Sequence, residues 1–392
     1  MGKKVDMKFE ADRCEQVPTH VIRSLLLAAA LCTCSMAESK PGDVFPEFTF
    51  NYSATPGIHR SQLEPKQRPD AGPERASNRT AEVFPSQDWQ TARPEAAGFD
   101  PMKLTMALDR LDGNIVVVRR GLVVGAKGNV LESIPIFSVS KSFTSTVFAV
   151  LLEQKKVDYD DTVPLSDAFG PPLAKYQDFL SMTSDFMLIP YDPGRHYAYN
   201  NAAVHHYGKQ MSKLFFSDKT PGEIFQACIW NIIGRQDEFS YQGLWGGWGG
   251  GFNVSARDLA RVGLLVLRNG NWNGKQVISA AFVKKLYDNQ IPVEATLTSF
   301  AGPETVLNQM GSSERLKGNY SFGWWTNASN QYPTVPRRTI YAIGLKENNI
   351  IVCPEYDLVV TKTSTNLRRP QLPPAEVLAP IIAALSENSS KR

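Results

Sequence analysis

What most constrains this chain is where its strand-forming residues fall. Ile115-Val116-Val117-Val118, Arg119-Arg120-Gly121 and Leu122-Val123-Val124 read as a β-hairpin, two apolar runs joined by a turn that ends in glycine. Strand signals return only at 341–344, 349–353 and 358–362. The last two are joined by Pro354-Glu355-Tyr356-Asp357, residue types that favour a turn. Between the two strand-rich ends the apolar spacing is helical, with helices expected at 140–154, 201–215, 256–268 and 279–288. Short helices are expected at 102–111 and 374–386, outside the strands on either side. This order predicts an α+β fold. An antiparallel sheet built from distant segments is flanked by N- and C-terminal helices and interrupted by a mainly helical subdomain.

The amino-terminal residues belong to something else. At 21–37 the chain reads Val-Ile-Arg-Ser-Leu-Leu-Leu-Ala-Ala-Ala-Leu-Cys-Thr-Cys-Ser-Met-Ala, a basic residue before an apolar stretch too short to span a bilayer. Small residues close it, so residues 1–37 read as a secretory signal with a long leading region, cleaved after Ala37. Export is therefore expected, with no transmembrane anchor left after cleavage and a lipidated Cys32 or Cys34 disfavoured by the bulky Cys32-Thr33 step. Residues 38–82 are rich in Pro, Ser, Asn and charge and read as a linker or arm. The folded domain is expected over 83–386, with a tail at 387–392. Asn-x-Ser/Thr sequons at Asn51, Asn78, Asn253, Asn319, Asn327 and Asn388 matter only in a glycosylating host.

Composition removes several function classes. The formal net charge is +3 and no Lys/Arg-rich run occurs, which speaks against a nucleic-acid partner. There is no phosphate-binding loop; Gly246–Gly251 is glycine-rich but has the wrong spacing. After signal cleavage only Cys228 and Cys353 remain, too few for a disulfide framework. Both are expected to be buried and inert, with a single disulfide between them left open. No close Cys/His cluster has metal-ligand spacing, so neither a metal nor another cofactor is expected.

The chemistry is carried by Phe137-Ser138-Val139-Ser140-Lys141, at the start of an apolar helix. Ser138 and Lys141 are three residues apart and share one face of the first turn. A serine hydroxyl is a poor nucleophile without a base, and a lysine kept neutral by burial can serve. Free N–H groups at a helix start can also stabilise an oxyanion. Taken alone, the tetrapeptide reads better as a Ser N-cap before a solvated Lys, because Ser-x-x-Lys arises readily by chance. A second segment, Pro193-Gly194-Arg195-His196-Tyr197-Ala198-Tyr199-Asn200-Asn201, holds a Tyr-x-Asn. Its Tyr199 can relay protons, and Asn201 can hydrogen-bond the lysine or a substrate carbonyl.

Together these segments resemble the serine β-lactamase-like superfamily of class C β-lactamases, D,D-peptidases, related esterases and 6-aminohexanoate-oligomer hydrolases. The likeness covers roughly 83–386 and includes Phe84-Pro85 with Trp89, Met182-Thr183-Ser184, Gly249-Gly250-Gly251-Phe252-Asn253-Val254-Ser255-Ala256-Arg257-Asp258-Leu259-Ala260, and the turn at 269–279. The resemblance implies a β-lactamase/transpeptidase-like fold, with Ser138, Lys141 and Tyr199 catalytic. The family's third motif, Lys-Thr-Gly or His-x-Gly, corresponds to Ala342-Ile343-Gly344. Gly344 then permits close approach, and the Leu345 N–H becomes the second oxyanion donor beside that of Ser138. Ala342 replaces the lysine that holds a substrate carboxylate, although Lys346 stands close by in sequence.

The resemblance therefore implies a small-molecule ester or amide substrate ahead of a β-lactam or a D-Ala-D-Ala terminus, with a catalytically silent binding protein of the same fold as the alternative class. A second departure is the short interval between Ser184 and Pro193, where Asp185 replaces the usual Gly. Trp245, Trp248, Trp324 and Trp325 are candidates for apolar walls of the substrate mouth or for ordinary core. Among His196, His205 and His206 no triad base is expected, because no Gly-x-Ser-x-Gly elbow exists. Of the helical pair His205 and His206, one should be at the surface and the other packed.

Overall fold

The two strand-rich ends of the chain pair with each other. The computed structural model describes residues 82–164, 174–186, 192–243, 247–292, 295–297, 319–366 and 372–386. The expected signal, most of the arm, the 387–392 tail, Trp245 and the sequons Asn51, Asn78 and Asn388 lie outside them. Seven antiparallel strands form the main sheet. In chain order they are β1 (Asn114–Arg119), β2 (Leu122–Lys127), β3 (Tyr320–Ser321), β4 (Trp324–Thr326), β5 (Ile340–Gly344), β6 (Asn348–Cys353) and β7 (Leu358–Thr363). Their spatial order is β3-β4-β5-β6-β7-β1-β2, so the amino-terminal hairpin closes against the last strand. Val117 lies opposite Val360 and Val118 opposite Val359.

Alternation along the strands sorts side chains between two helical layers. The helices are α1 (Pro101–Asp109), α2 (Val139–Glu153), α3 (Asn201–Phe215), α4 (Ala256–Leu267), α5 (Ala280–Leu286) and α6 (Pro374–Ala383). Helices α1 and α6 pack together on one face, where Gly125 lets β2 close on Leu104 and Leu108. Helix α4 covers the other face. A Cβ at its Gly263 would stand 2.5 Å from Val359 Cγ1 and 2.9 Å from Ile350 Cγ2, so glycine sets how closely helix and sheet approach. Ser255 caps α4 by accepting from Asp258 N at 3.2 Å, and Asn200 caps α3 by accepting from Ala203 N at 3.1 Å.

The expected antiparallel sheet and flanking helices are present, with boundaries shifted by a few residues at most of the ends. Strands β3 and β4, paired around Gly323, were not expected from the sequence. Cys228 is half-buried rather than buried, Cys353 is buried, and both are free thiols, so no disulfide joins them. Burial pushes each thiol up to about 11, which keeps both protonated at neutral pH. Asn253, Asn319 and Asn327 are all buried, which leaves these sequons no room for a glycan in the folded chain. No helix among the described residues is long and apolar enough to cross a membrane.

Candidate active site

Helix α2 is buried along almost its whole length; its buried Ser142 and Thr144 hydroxyls are satisfied by donating to the Gly323 and Trp248 carbonyls at 2.7 Å each. Ser138 is its first flanking residue and, unlike an ordinary N-cap Ser, makes no side-chain capping bond. Its hydroxyl is instead 2.8 Å from Lys141 Nζ. Phe137 immediately before it has φ 48, a left-handed conformation that costs a non-glycine residue about 1–2 kcal/mol. The strain falls where the chain turns from the strand Ile134–Pro135 into the helix, and Ser138 itself is half-buried and accessible.

Lys141 is 2% exposed. Its Nζ donates to the Gly249 carbonyl at 3.0 Å and lies 4.8 Å from the centroid of the Tyr199 ring. Burial alone pulls its amine down from 10.5 to about 7, since no carboxylate pairs with it. The solvated-lysine reading of the tetrapeptide is thereby set aside. The Gly249 carbonyl leaves no signal of its own in the sequence beyond the glycine run.

Tyr199 precedes α3 and hydrogen-bonds to Ser138. Burial pushes its phenol well above the usual range, so it stays protonated at neutral pH. Its ring stacks on Trp325 (centroids 5.8 Å, 26°) and meets Tyr320 edge-on (6.2 Å, 88°). Among the described candidate tryptophan walls only Trp325 touches Tyr199 this way, and Trp248, Trp324 and Trp325 are all core residues at 3%, 0% and 5% exposure. The segment before Tyr199 is braced by Met182, whose carbonyl accepts from Ala198 N at 2.9 Å. Asp185 Oδ2 holds His196 Nδ1 at 2.7 Å.

Asn201 is the first residue of α3 and is exposed. A Cβ on Gly249 would lie 3.8 Å from Asn201 Oδ1 and 3.6 Å from Lys141 Nζ, which places all three at one corner of the site. Gly344, at the end of β5, closes the opposite side. A Cβ there would be 2.2 Å from the Ile136 carbonyl and 3.2 Å from Ser138 N, so only glycine lets the strand lie against the helix start. Leu345 follows and is half-buried, while Ala342 is fully buried at the position of the family's lysine. Lys346 Nζ sits 5.5 Å over the Phe137 ring. The site therefore joins Ser138 and Lys141, Tyr199 and Asn201, Gly249, and Gly344 from four separated segments.

The histidines stand elsewhere. His205 is exposed and its ring lies against Gly247, and His206 is buried between Phe179 and Phe186 with Nε2 donating to the Pro164 carbonyl at 2.8 Å. Burial lowers His206 to about 4, so it is neutral at pH 7. No group of His, Cys, Asp and Glu among the described residues could hold a metal ion.

Comparison with known proteins bears on the family and the fold. A family model described as Beta-lactamase matches residues 105–380. A 6-aminohexanoate-dimer hydrolase from Paenarthrobacter ureafaciens is 27% identical over 116 residues, 30% of this chain, and the match spans only 25% of that relative's length. A beta-lactamase from Mycobacterium bovis superposes with TM-score 0.54 at 17% identity, covering 72% of this chain and 100% of that one. A family VIII carboxylesterase gives TM-score 0.55 at 12% identity, covering 76% and 99%. At these identities the structures speak for the fold.

Proposed function

The chain belongs to the Beta-lactamase family, and from that premise we propose that it is a serine hydrolase that cleaves ester or amide bonds through an acyl-enzyme on Ser138. The observation that carries this reading is the buried Lys141 amine, held near 7 and 2.8 Å from the Ser138 hydroxyl. A lysine poised there is half neutral at physiological pH, which is what a general base requires. With one N–H given to the Gly249 carbonyl, its lone pair is left to face Ser138 Oγ.

In the first step Lys141 takes the Ser138 proton as Oγ adds to the substrate carbonyl. The N–H groups of Ser138 and Leu345 hold the resulting oxyanion. The leaving group departs with a proton passed through the Tyr199 phenol, which burial keeps protonated. Water then attacks the acyl-enzyme, its proton returning along the same Tyr199–Lys141 route. Asn201, at the corner beside Lys141, contacts the acyl side of the substrate.

Ester or amide substrates are favoured over β-lactams because Ala342 offers no charge for a carboxylate and Trp325 with Tyr199 presents an apolar wall. The likenesses to a carboxylesterase and a 6-aminohexanoate-dimer hydrolase are in keeping with this choice, and that to a beta-lactamase reflects the shared fold. Turnover of p-nitrophenyl butyrate, a linear anilide and nitrocefin tests this, each against Ser138→Ala. Butyrate should be the best substrate and nitrocefin the poorest. No turnover above the Ser138→Ala control would overturn the hydrolase reading.

The amino-terminal segment supports export, so the mature chain is expected to begin at Glu38. Amino-terminal sequencing of the exported protein checks this.

A further inference from the structure

The turn that follows Gly344 is held in a costly shape. Leu345, Lys346 and Glu347 form a single 3-10 turn between β5 and β6. Within it Lys346 and Glu347 are successive non-glycine residues in the left-handed region, with φ 62 and 63. Each costs about 1–2 kcal/mol, and such strain persists only where the surroundings over-determine it.

Here they do. The Glu347 side chain is 3% exposed. One carboxylate oxygen pairs with Lys362 Nζ, and the other accepts from Leu372 N at 2.9 Å. Lys362, on β7, is fully buried and also donates to Asp112 Oδ1 at 2.9 Å, at the entry to β1. Asn348 Nδ2 donates to the Leu345 carbonyl at 2.6 Å, and its Oδ1 accepts from Ser364 N at 3.1 Å. Asn349 Nδ2 donates to the Glu347 carbonyl at 2.8 Å. Both ends of the turn are thus tied down through the buried Glu347 and through buried side chains of β6 and β7.

A buried ion pair contributes little net stability, since desolvation offsets its Coulomb attraction, but it can select one geometry. We infer that the Glu347–Lys362 pair fixes the position of the Leu345 backbone N–H against Ser138, which makes both of them positioning residues for the oxyanion site. The inference rests on the serine-hydrolase reading above. An oxyanion donor displaced by a fraction of an ångström loses much of an effect of about 100- to 1000-fold on kcat.

The test compares p-nitrophenyl butyrate with its thiono analogue, in which sulfur replaces the carbonyl oxygen and fits the oxyanion donors poorly. Labelling of wild-type Ser138 by a fluorophosphonate establishes the hydrolase reading independently, so failure of one is distinguishable from failure of the other. In Glu347→Gln, Lys362 keeps Asp112 and the glutamine oxygen can still accept from Leu372. The expected result is a kcat lowered about 10- to 100-fold, KM within about threefold, and an oxo-to-thiono preference narrowed about tenfold. Lys362→Arg should stay within about threefold of wild type in that ratio. If Glu347→Gln melts below the assay temperature, the same ratio is read on Glu347→Gln/Lys362→Met, which leaves no unpaired charge deeply buried. An unchanged oxo-to-thiono ratio in the folded variant overturns the proposal.

Discussion

At the scale of single residues the proposed catalysis turns on the charge of Lys141. Burial lowers it to about 7, so the base form grows in as pH rises. The kcat/KM for p-nitrophenyl butyrate should climb tenfold per pH unit below that value and level off above it. A falling limb from Tyr199 is not expected in the neutral range, because burial raises its phenol. A flat profile between pH 5.5 and 8.5 would contradict the assignment. The same burial has a stability consequence of definite sign. The unfolded chain binds a proton at Lys141 more readily than the native one between about 7 and 10.5. The cost of burying the ammonium is therefore fully present below pH 7 and fades as pH rises towards the unfolded value. Lys141→Met should abolish turnover yet raise stability by about 1–3 kcal/mol at pH 6, and by less at pH 9, as read by thermal melting. Ser138, Lys141 and Tyr199 were legible in the sequence because their spacing within a helix turn and a short motif is local. The Gly249 carbonyl and the strained Phe137 were not, and Trp325 could not be told from the other candidate tryptophans, since each acquires its role from contacts with a segment distant in the chain.

At the scale of elements, the site depends on how closely β5 lies against the start of α2. Gly344→Ala would place a methyl 2.2 Å from a backbone carbonyl, which no rotamer change relieves. It should cost about 2–4 kcal/mol and at least about 100-fold in kcat, checked by urea unfolding and steady-state kinetics. Wild-type kinetics in that variant would show that the strand does not bound the site. The helices and inner strands were readable because each carries its own periodicity. Strands β3 and β4 were not, being two and three residues long and rich in aromatics. Their strand character comes from pairing with β5, through Trp325 opposite Tyr341, which no local pattern announces. The helical insertion between β2 and β3 then supplies Ser138, Lys141, Tyr199, Asn201 and Gly249, and the sheet supplies the closing edge at Gly344 and the Tyr320 and Trp325 rings behind Tyr199.

At the scale of the whole molecule, the fold holds distant segments together through a few buried polar ties. Arg268, capping the end of α4, meets Asp357 in the β6–β7 turn at 2.5 Å, both side chains 3% exposed. Arg268→Met would take the Arg268 guanidinium away from that buried carboxylate and should cost about 3–5 kcal/mol in urea unfolding. Fluorophosphonate labelling of the still-folded variant should be unchanged; a stability within 1 kcal/mol of wild type would show, to about that precision, that the tie is dispensable. The α+β order of elements was evident from where the valine-rich runs fall, whereas the contacts that lock it depend on side chains brought together only by folding. The central claim, an acyl-enzyme on Ser138, is tested most directly by intact-protein mass spectrometry after reaction with a fluorophosphonate, followed by peptide mapping. One adduct per chain is expected, on the peptide bearing Ser138, absent in Ser138→Ala and formed more slowly below pH 7. An unlabelled wild type, or equal labelling in Ser138→Ala, would contradict it.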